Sequence, residues 1–294
     1  MANFVFRVEA HVTGMHVAAY FGLSGLVLKA IRHGRRVDKD ALTRSRESVV
    51  HWAVRWRQHE FLEILLFNLK ADAGAQDSES RTPLHIAVAN EDLRSVEVLL
   101  KCGPIQRPEI EVSDDGGWTV LRRAAAHGSR AMVEKLVAEG ARVNGADANG
   151  WTALRWAADR DHVRICEMLI QNKASMDLEL PSSERWSLLH WAATNGCEKL
   201  VRPLIDRRAN LSLPDERSGW APLRCAVEHG CTITAWHLLE ASAPAQQQDK
   251  KGRTPLHAAA EKGYLMRIGR GSWFSAGNVL GVPSVFAGAN IRSH

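Results

Sequence analysis

One short phrase comes round eight times along the chain, and it limits the fold more than anything else in the sequence. Its clearest copy is Thr82-Pro83-Leu84-His85-Ile86-Ala87-Val88, followed by a second apolar-periodic stretch from Asp92 to Leu100. Thr82 is a good helix N-cap because its hydroxyl can accept from a free backbone N–H of the first turn. Pro83 suits the first helical position, where its missing N–H had no partner anyway. Leu84, Ala87 and Val88, then Leu93, Val96, Leu99 and Leu100, recur at helical spacing. Each such helix is too short to stand alone in water, so every unit needs neighbours.

The chain supplies them. The matching segments are TGMHVAA, SVVHWAV, TPLHIAV, TVLRRAA, TALRWAA, SLLHWAA, APLRCAV and TPLHAAA. Their fourth residues are His16, His51, His85, Arg122, Arg155, His190, Arg224 and His257, separated by 35, 34, 37, 33, 35, 34 and 33 residues. A period near 33 carrying T-P-L-H-x-A-A resembles the ankyrin repeat. The wording of GMHVAAYFG and GWTALRWAA is similar to the ankyrin arms of fungal signalling proteins. The resemblance implies an all-α solenoid of about eight helix-turn-helix repeats with projecting hairpin-like loops. On that basis residues 1–7 are an N-terminal segment and residues 8–270 hold the repeats. Their approximate bounds are 8–42, 43–76, 77–113, 114–146, 147–181, 182–215, 216–248 and an incomplete 249–270. Residues 271–294 form a Gly-, Ser- and Ala-rich tail with no helical period, expected to be disordered.

Composition excludes several functions. At 45% hydrophobic and 24% charged residues the chain fits an ordinary folded protein. No apolar run approaches the ~18 residues that span a bilayer, and the N-terminus lacks a secretory signal pattern. No membrane partner is therefore expected. The five cysteines are odd in number and contain no C-x-x-C, which suits reduced thiols in the cytoplasm or nucleus. Net charge is +5, and the basic clusters Lys29–Arg36 and Arg207-Arg208 fall where second helices should end. Cations there complement the helix dipole, so nucleic acid is not the expected partner.

No catalytic constellation stands out, and neither a cofactor nor a metal is expected. The fourth-position histidines lie about one repeat apart, too far to share a metal at ~2 Å. The resemblance gives them a scaffold role, with the imidazole bonded inside its own repeat to the capping hydroxyl and nearby backbone. Arg122, Arg155 and Arg224 depart from that pattern, because a guanidinium cannot accept a hydrogen bond.

Tryptophan is the unusual residue, with ten against two tyrosines. Trp52, Trp156 and Trp191 directly follow the fourth position and read as core between repeats. Trp118, Trp151, Trp186 and Trp220 precede the capping residue, where the resemblance implies the base of a loop facing a concave groove. The ends of the first helices would supply the other wall through His127, Arg160, Asn195 and His229. These eight residues are the candidate partner-binding set, although stacking for stability explains the four tryptophans equally well. The function expected is a non-catalytic scaffold or adaptor, not an enzyme, binding one protein partner as a monomer. The alternatives are a nucleic-acid-associated regulator and a shortened recognition arm of a larger signalling enzyme.

Overall fold

A computed structural model describes residues 11–102, 108–175 and 186–262. The N-terminal segment 1–7, the tail 271–294 and the end of the eighth repeat from Gly263 lie outside the described residues, as does part of the exit loop after Cys102. The described residues contain short helices and no named strand. The chain divides into two compact units, one up to Ala174 and one from Ser175.

Among the described residues the first unit holds ten helices taken in pairs. They are α1 (Gly14–Phe21) with α2 (Ser24–Arg32), α3 (Val49–Arg55) with α4 (His59–Glu63), α5 (Pro83–Ala89) with α6 (Leu93–Leu100), α7 (Val120–His127) with α8 (Arg130–Ala138), and α9 (Ala153–Asp159) with α10 (Val163–Gln171). α4 continues as a π-helical turn over Ile64–Asn68. The second unit holds α11 (Leu188–Thr194) with α12 (Glu198–Asp206), α13 (Pro222–Glu228) with α14 (Thr232–Glu240), and α15 (Pro255–Glu261). α12 runs through Pro203, which removes one backbone donor from its interior.

Each helix is too short to close its own core, and burial runs along the stack instead. Leu84, Leu99, Leu121, Leu136, Leu154 and Leu169 are at most 3% exposed in the first unit. Leu188, Leu189, Leu200, Leu204, Leu223 and Leu238 do the same in the second. First helices pack on the next first helices, as α1 on α3, α3 on α5 and α7 on α9.

The loops before the first helices are short turns closed by a backbone bond, from Asp77 to Arg81 (2.9 Å), Asp114 to Trp118 (3.1 Å) and Asp147 to Trp151 (3.1 Å). The aspartate carboxylate accepts further loop N–H groups, those of Glu79 and Arg81 for Asp77 and those of Asn149 and Trp151 for Asp147. This is why Asp opens these turns. Adjacent loops also join edge to edge, with Ser78 N–H on Ser45 carbonyl (2.8 Å) and Asp115 N–H on Glu79 carbonyl (3.1 Å).

Glycine is required at Gly128, where α7 turns into α8. Gly128 has φ +81°, and a Cβ there would lie 2.6 Å from the ring of His162. That ring needs the space, because His162 Nε2 reaches back to the Ala126 carbonyl at 3.2 Å. Gln58 and Cys231, at the same place in their own helix pairs, reach the carbonyls of Tyr20 (3.1 Å) and Thr194 (3.6 Å). The same register thus links one helix pair to the one before it.

Candidate functional site

The fourth-position histidines form the scaffold on which the candidate site rests. His51 Nδ1 takes hydrogen bonds from Ser48 N–H (3.1 Å) and the Ser48 hydroxyl (2.8 Å). Its Nε2 lies 3.0 Å from the Arg81 carbonyl, and a carbonyl can only accept, so the ring is the neutral Nε2–H tautomer. His16, His85 and His190 repeat the arrangement, reaching the carbonyls of Glu47 (3.2 Å), Trp118 (3.1 Å) and Trp220 (3.0 Å). The expected bonds inside one repeat are therefore half of the story, since the second nitrogen ties each repeat to the next. Burial lowers the pKa of His51 to about 4, and lowers those of His16, His85 and His190.

Where arginine replaces histidine, the turn is held differently. The Thr119 and Thr152 hydroxyls still accept from Arg122 N–H (3.4 Å) and Arg155 N–H (3.3 Å). The side chains go elsewhere. Arg122 donates to the Gly117 carbonyl, and Arg224 donates to Glu228 at 2.6 Å. Arg155 lies over the Trp151 ring at 4.2 Å and Arg224 over Trp220 at 4.6 Å, which are cation–π distances.

These contacts change the standing of the tryptophans. In the first unit Trp156 lies between two neighbours, with ring centroids 4.5 Å from Trp118 and 4.4 Å from Trp151. Arg123 adds a guanidinium 5.5 Å from the Trp118 ring and pairs with Asp114 at 2.6 Å. The division into a core register and a groove register thus breaks down: Trp118, Trp151 and Trp156 make one cluster, and all three are half-buried. Trp156, expected in the core with Trp52 and Trp191, is half-buried as they are, and it packs on the two loop-base rings. In the second unit Trp220 lies under Arg224, and Trp186 sits 5.4 Å from the His190 ring; both are half-buried.

The other candidate wall is exposed. His127, Arg160, Asn195 and His229 all lie at or next to the C-terminal ends of first helices, α7, α9, α11 and α13, and face solvent. The structure brings Trp118 and Trp151 together through Trp156, while His127 and Arg160 occupy the same two helix pairs. In the second unit Asn195 bonds the Trp191 carbonyl (2.9 Å) and His229 bonds the Cys225 carbonyl (3.0 Å), so part of their polarity is used locally.

The equivalent residues of the first two helix pairs escaped notice in the sequence. Phe21 (56% exposed) and Trp56 (38% exposed) each follow the fourth position by five residues, as His127 and Arg160 do. Tyr20 joins them edge-on, 4.8 Å from Phe21 and 4.6 Å from Trp56. That five-residue offset was the signal that would have found them.

The five cysteines are free thiols, and burial pushes Cys225 up to about 12 and raises Cys102 and Cys231, opposite to what a nucleophilic thiol needs. Among the described residues no group of three or more His, Cys, Asp or Glu is placed to hold a metal, and no helix is long and apolar enough to cross a membrane.

A family model described as ankyrin repeats (3 copies) matches residues 15–109, 63–147, 105–181, 124–215 and 189–267. The chain belongs to the ankyrin-repeat family. Among curated proteins it is 30% identical over 175 residues to the transient receptor potential cation channel subfamily A member 1 homolog of Caenorhabditis elegans, covering 59% of this chain and 14% of that protein. It is 32% identical over 136 residues to neurogenic locus notch homolog protein 1 of Xenopus laevis, covering 46% of this chain and 5% of that protein. These ankyrin matches thus span a small part of each relative's length. Neither relative is a fungal protein, so the finer likeness to fungal signalling arms gains nothing from them. Among solved structures, the ankyrin repeat domain of Bcl-3, a member of the IkappaB protein family, aligns with a TM-score of 0.63 at 25% identity, covering 72% of this chain and 92% of that one. The human ASB11 ankyrin repeat domain aligns at 0.60 and 24%, covering 79% and 99%, a likeness of fold.

Proposed function

We propose that this ankyrin array binds a protein partner without catalysing a reaction, and that Trp118, Trp151, His127 and Arg160 of the first unit are central to the contact. The observation that carries this is the half-buried tryptophan cluster in the same two helix pairs as the exposed His127 and Arg160. A tryptophan fixed by its neighbours loses little freedom on binding and offers both apolar area and a donor. Trp186, Trp220, Asn195 and His229 form a second candidate set in the second unit. Free thiols fit a partner met in the cytoplasm or nucleus.

The test begins with a pull-down from the native cell and mass spectrometry to name the partner. Affinity is then measured for Arg160→Glu and His127→Ala, whose exposed side chains contribute little to folding. A loss of roughly tenfold or more with an unchanged melt is expected for a contact that carries binding energy. Full affinity in both variants would refute the assignment of this face.

A further inference from the structure

The stems of two neighbouring loops enclose a cleft in the first unit, apart from the tryptophan cluster. One side comes from residues 39–50, which lead into α3, and the other from residues 72–76, which lead toward α5. The space between them is about 420 Å³, within the ~300–1,000 Å³ of ordinary ligand pockets. Its buried lining is Val50, 1% exposed, and Ser48, whose hydroxyl is already bonded to the His51 ring. Leu42, 43% exposed, and Ala75 add apolar surface from the two sides.

The charged groups around the cleft differ in what they have left to offer. Asp72 accepts from Gly74 N–H at 2.8 Å. Lys39 pairs with Asp40 at 3.4 Å and donates to the Lys70 carbonyl at 2.7 Å. Arg46 is exposed, and its guanidinium makes no ion pair or hydrogen bond among the described residues. The backbone N–H groups of Ala75 and Gln76 are unbonded there too, as is the Gln76 side-chain amide. The surrounding charge has the sign of Arg46. Residues 1–58 hold ten Lys and Arg against four Asp and Glu, a net +6, where the whole chain is +5.

These features select an occupant. A carboxylate suits the uncommitted guanidinium, and free backbone donors suit the carbonyls of a chain laid beside them. Val50, Leu42 and Ala75 suit an apolar side chain. A nucleic acid fits less well. Its phosphates would run past Asp40 and Asp72, both exposed, whereas a peptide can set neutral backbone against them.

We propose that this cleft binds an extended acidic peptide segment of a protein partner, with an apolar side chain seated between Leu42 and Ala75 and a nearby carboxylate paired with Arg46. The site uses no residue of the tryptophan face.

The test selects from a random heptapeptide library on the immobilised full chain and measures the selected peptides by calorimetry. Peptides that combine an apolar residue with Asp or Glu are expected. Arg46→Gln should weaken them roughly fivefold, the upper range for an exposed ion pair, and added salt should weaken them further. Leu42→Ser should weaken them by a similar factor, from the apolar area no longer covered. Both side chains are exposed, so the melts of both variants should match wild type. A selection that yields no binder, binders without an acidic residue, or binders that hold to Arg46→Gln as tightly as to wild type would overturn the proposal. So would a single-stranded oligonucleotide that binds with dependence on Arg46 while no peptide does, because the cleft would then take nucleic acid. Arg160→Glu and His127→Ala should bind the selected peptides normally, so failure here and failure of the tryptophan face are read separately.

Discussion

Acid should weaken the first unit through His51, and the size of the effect follows from its surroundings. His51 is fully buried, and burial lowers its pKa from 6.5 to about 4. Protonation would also place a hydrogen on Nδ1, which must accept from Ser48 N–H and the Ser48 hydroxyl. The folded pKa lies below the unfolded one, so between those values the unfolded chain binds more protons. Stability is therefore fully present above about pH 6.5 and falls as the pH drops toward 4. At about 1.4 kcal/mol per pKa unit the whole loss is about 3 kcal/mol, of which about 2 kcal/mol is gone by pH 5. His16 and His85 shift the same way and add to it. The aspartates Asp77 and Asp92 are held below the usual carboxylate range, despite opposing burial, by hydrogen bonds, and contribute only at lower pH. The assay is urea unfolding at pH 7, 6 and 5, with an NMR titration of the His51 ring. Equal unfolding free energies at pH 7 and 5, or a His51 pKa near 6.5, would refute the reasoning.

Leu154→Ala should cost roughly 2–5 kcal/mol, because Leu154 is 1% exposed and its removal leaves a cavity; hydrogen exchange should show the loosening concentrated in neighbouring helix pairs. Trp156→Ala should destabilise by less than the roughly 3–5 kcal/mol of a fully buried tryptophan, because its ring is half-buried, and Trp151→Ala should also lower the melt, since its ring packs on Trp156 and under Arg155. A melt for Trp151→Ala equal to wild type would show that the cluster contributes nothing to folding. Gly128→Ala should destabilise measurably, because its φ is +81° and the new Cβ would meet the His162 ring; an unchanged thermal melt would contradict that geometry.

Periodicity made the helix pairs legible. A capping Thr or Ser, a Pro at the first helical position and leucines at helical spacing act within a few residues, so local sequence specifies them. The eight-fold recurrence then forces stacking, because no single pair can bury its own apolar face. The exposed ends of the first helices at His127, Arg160, Asn195 and His229 followed from the same register. Only the tertiary structure decided what the second nitrogen of each fourth-position histidine bonds, since the Arg81 and Trp118 carbonyls lie about thirty residues further along. It also decided that Trp118, Trp151 and Trp156 share one cluster rather than two registers, with Arg155 lying over Trp151. Which ring touches which depends on the rotation and rise from one helix pair to the next. Those quantities are set by packing across repeats, where sequence spacing carries the register but not the direction in which a large side chain turns.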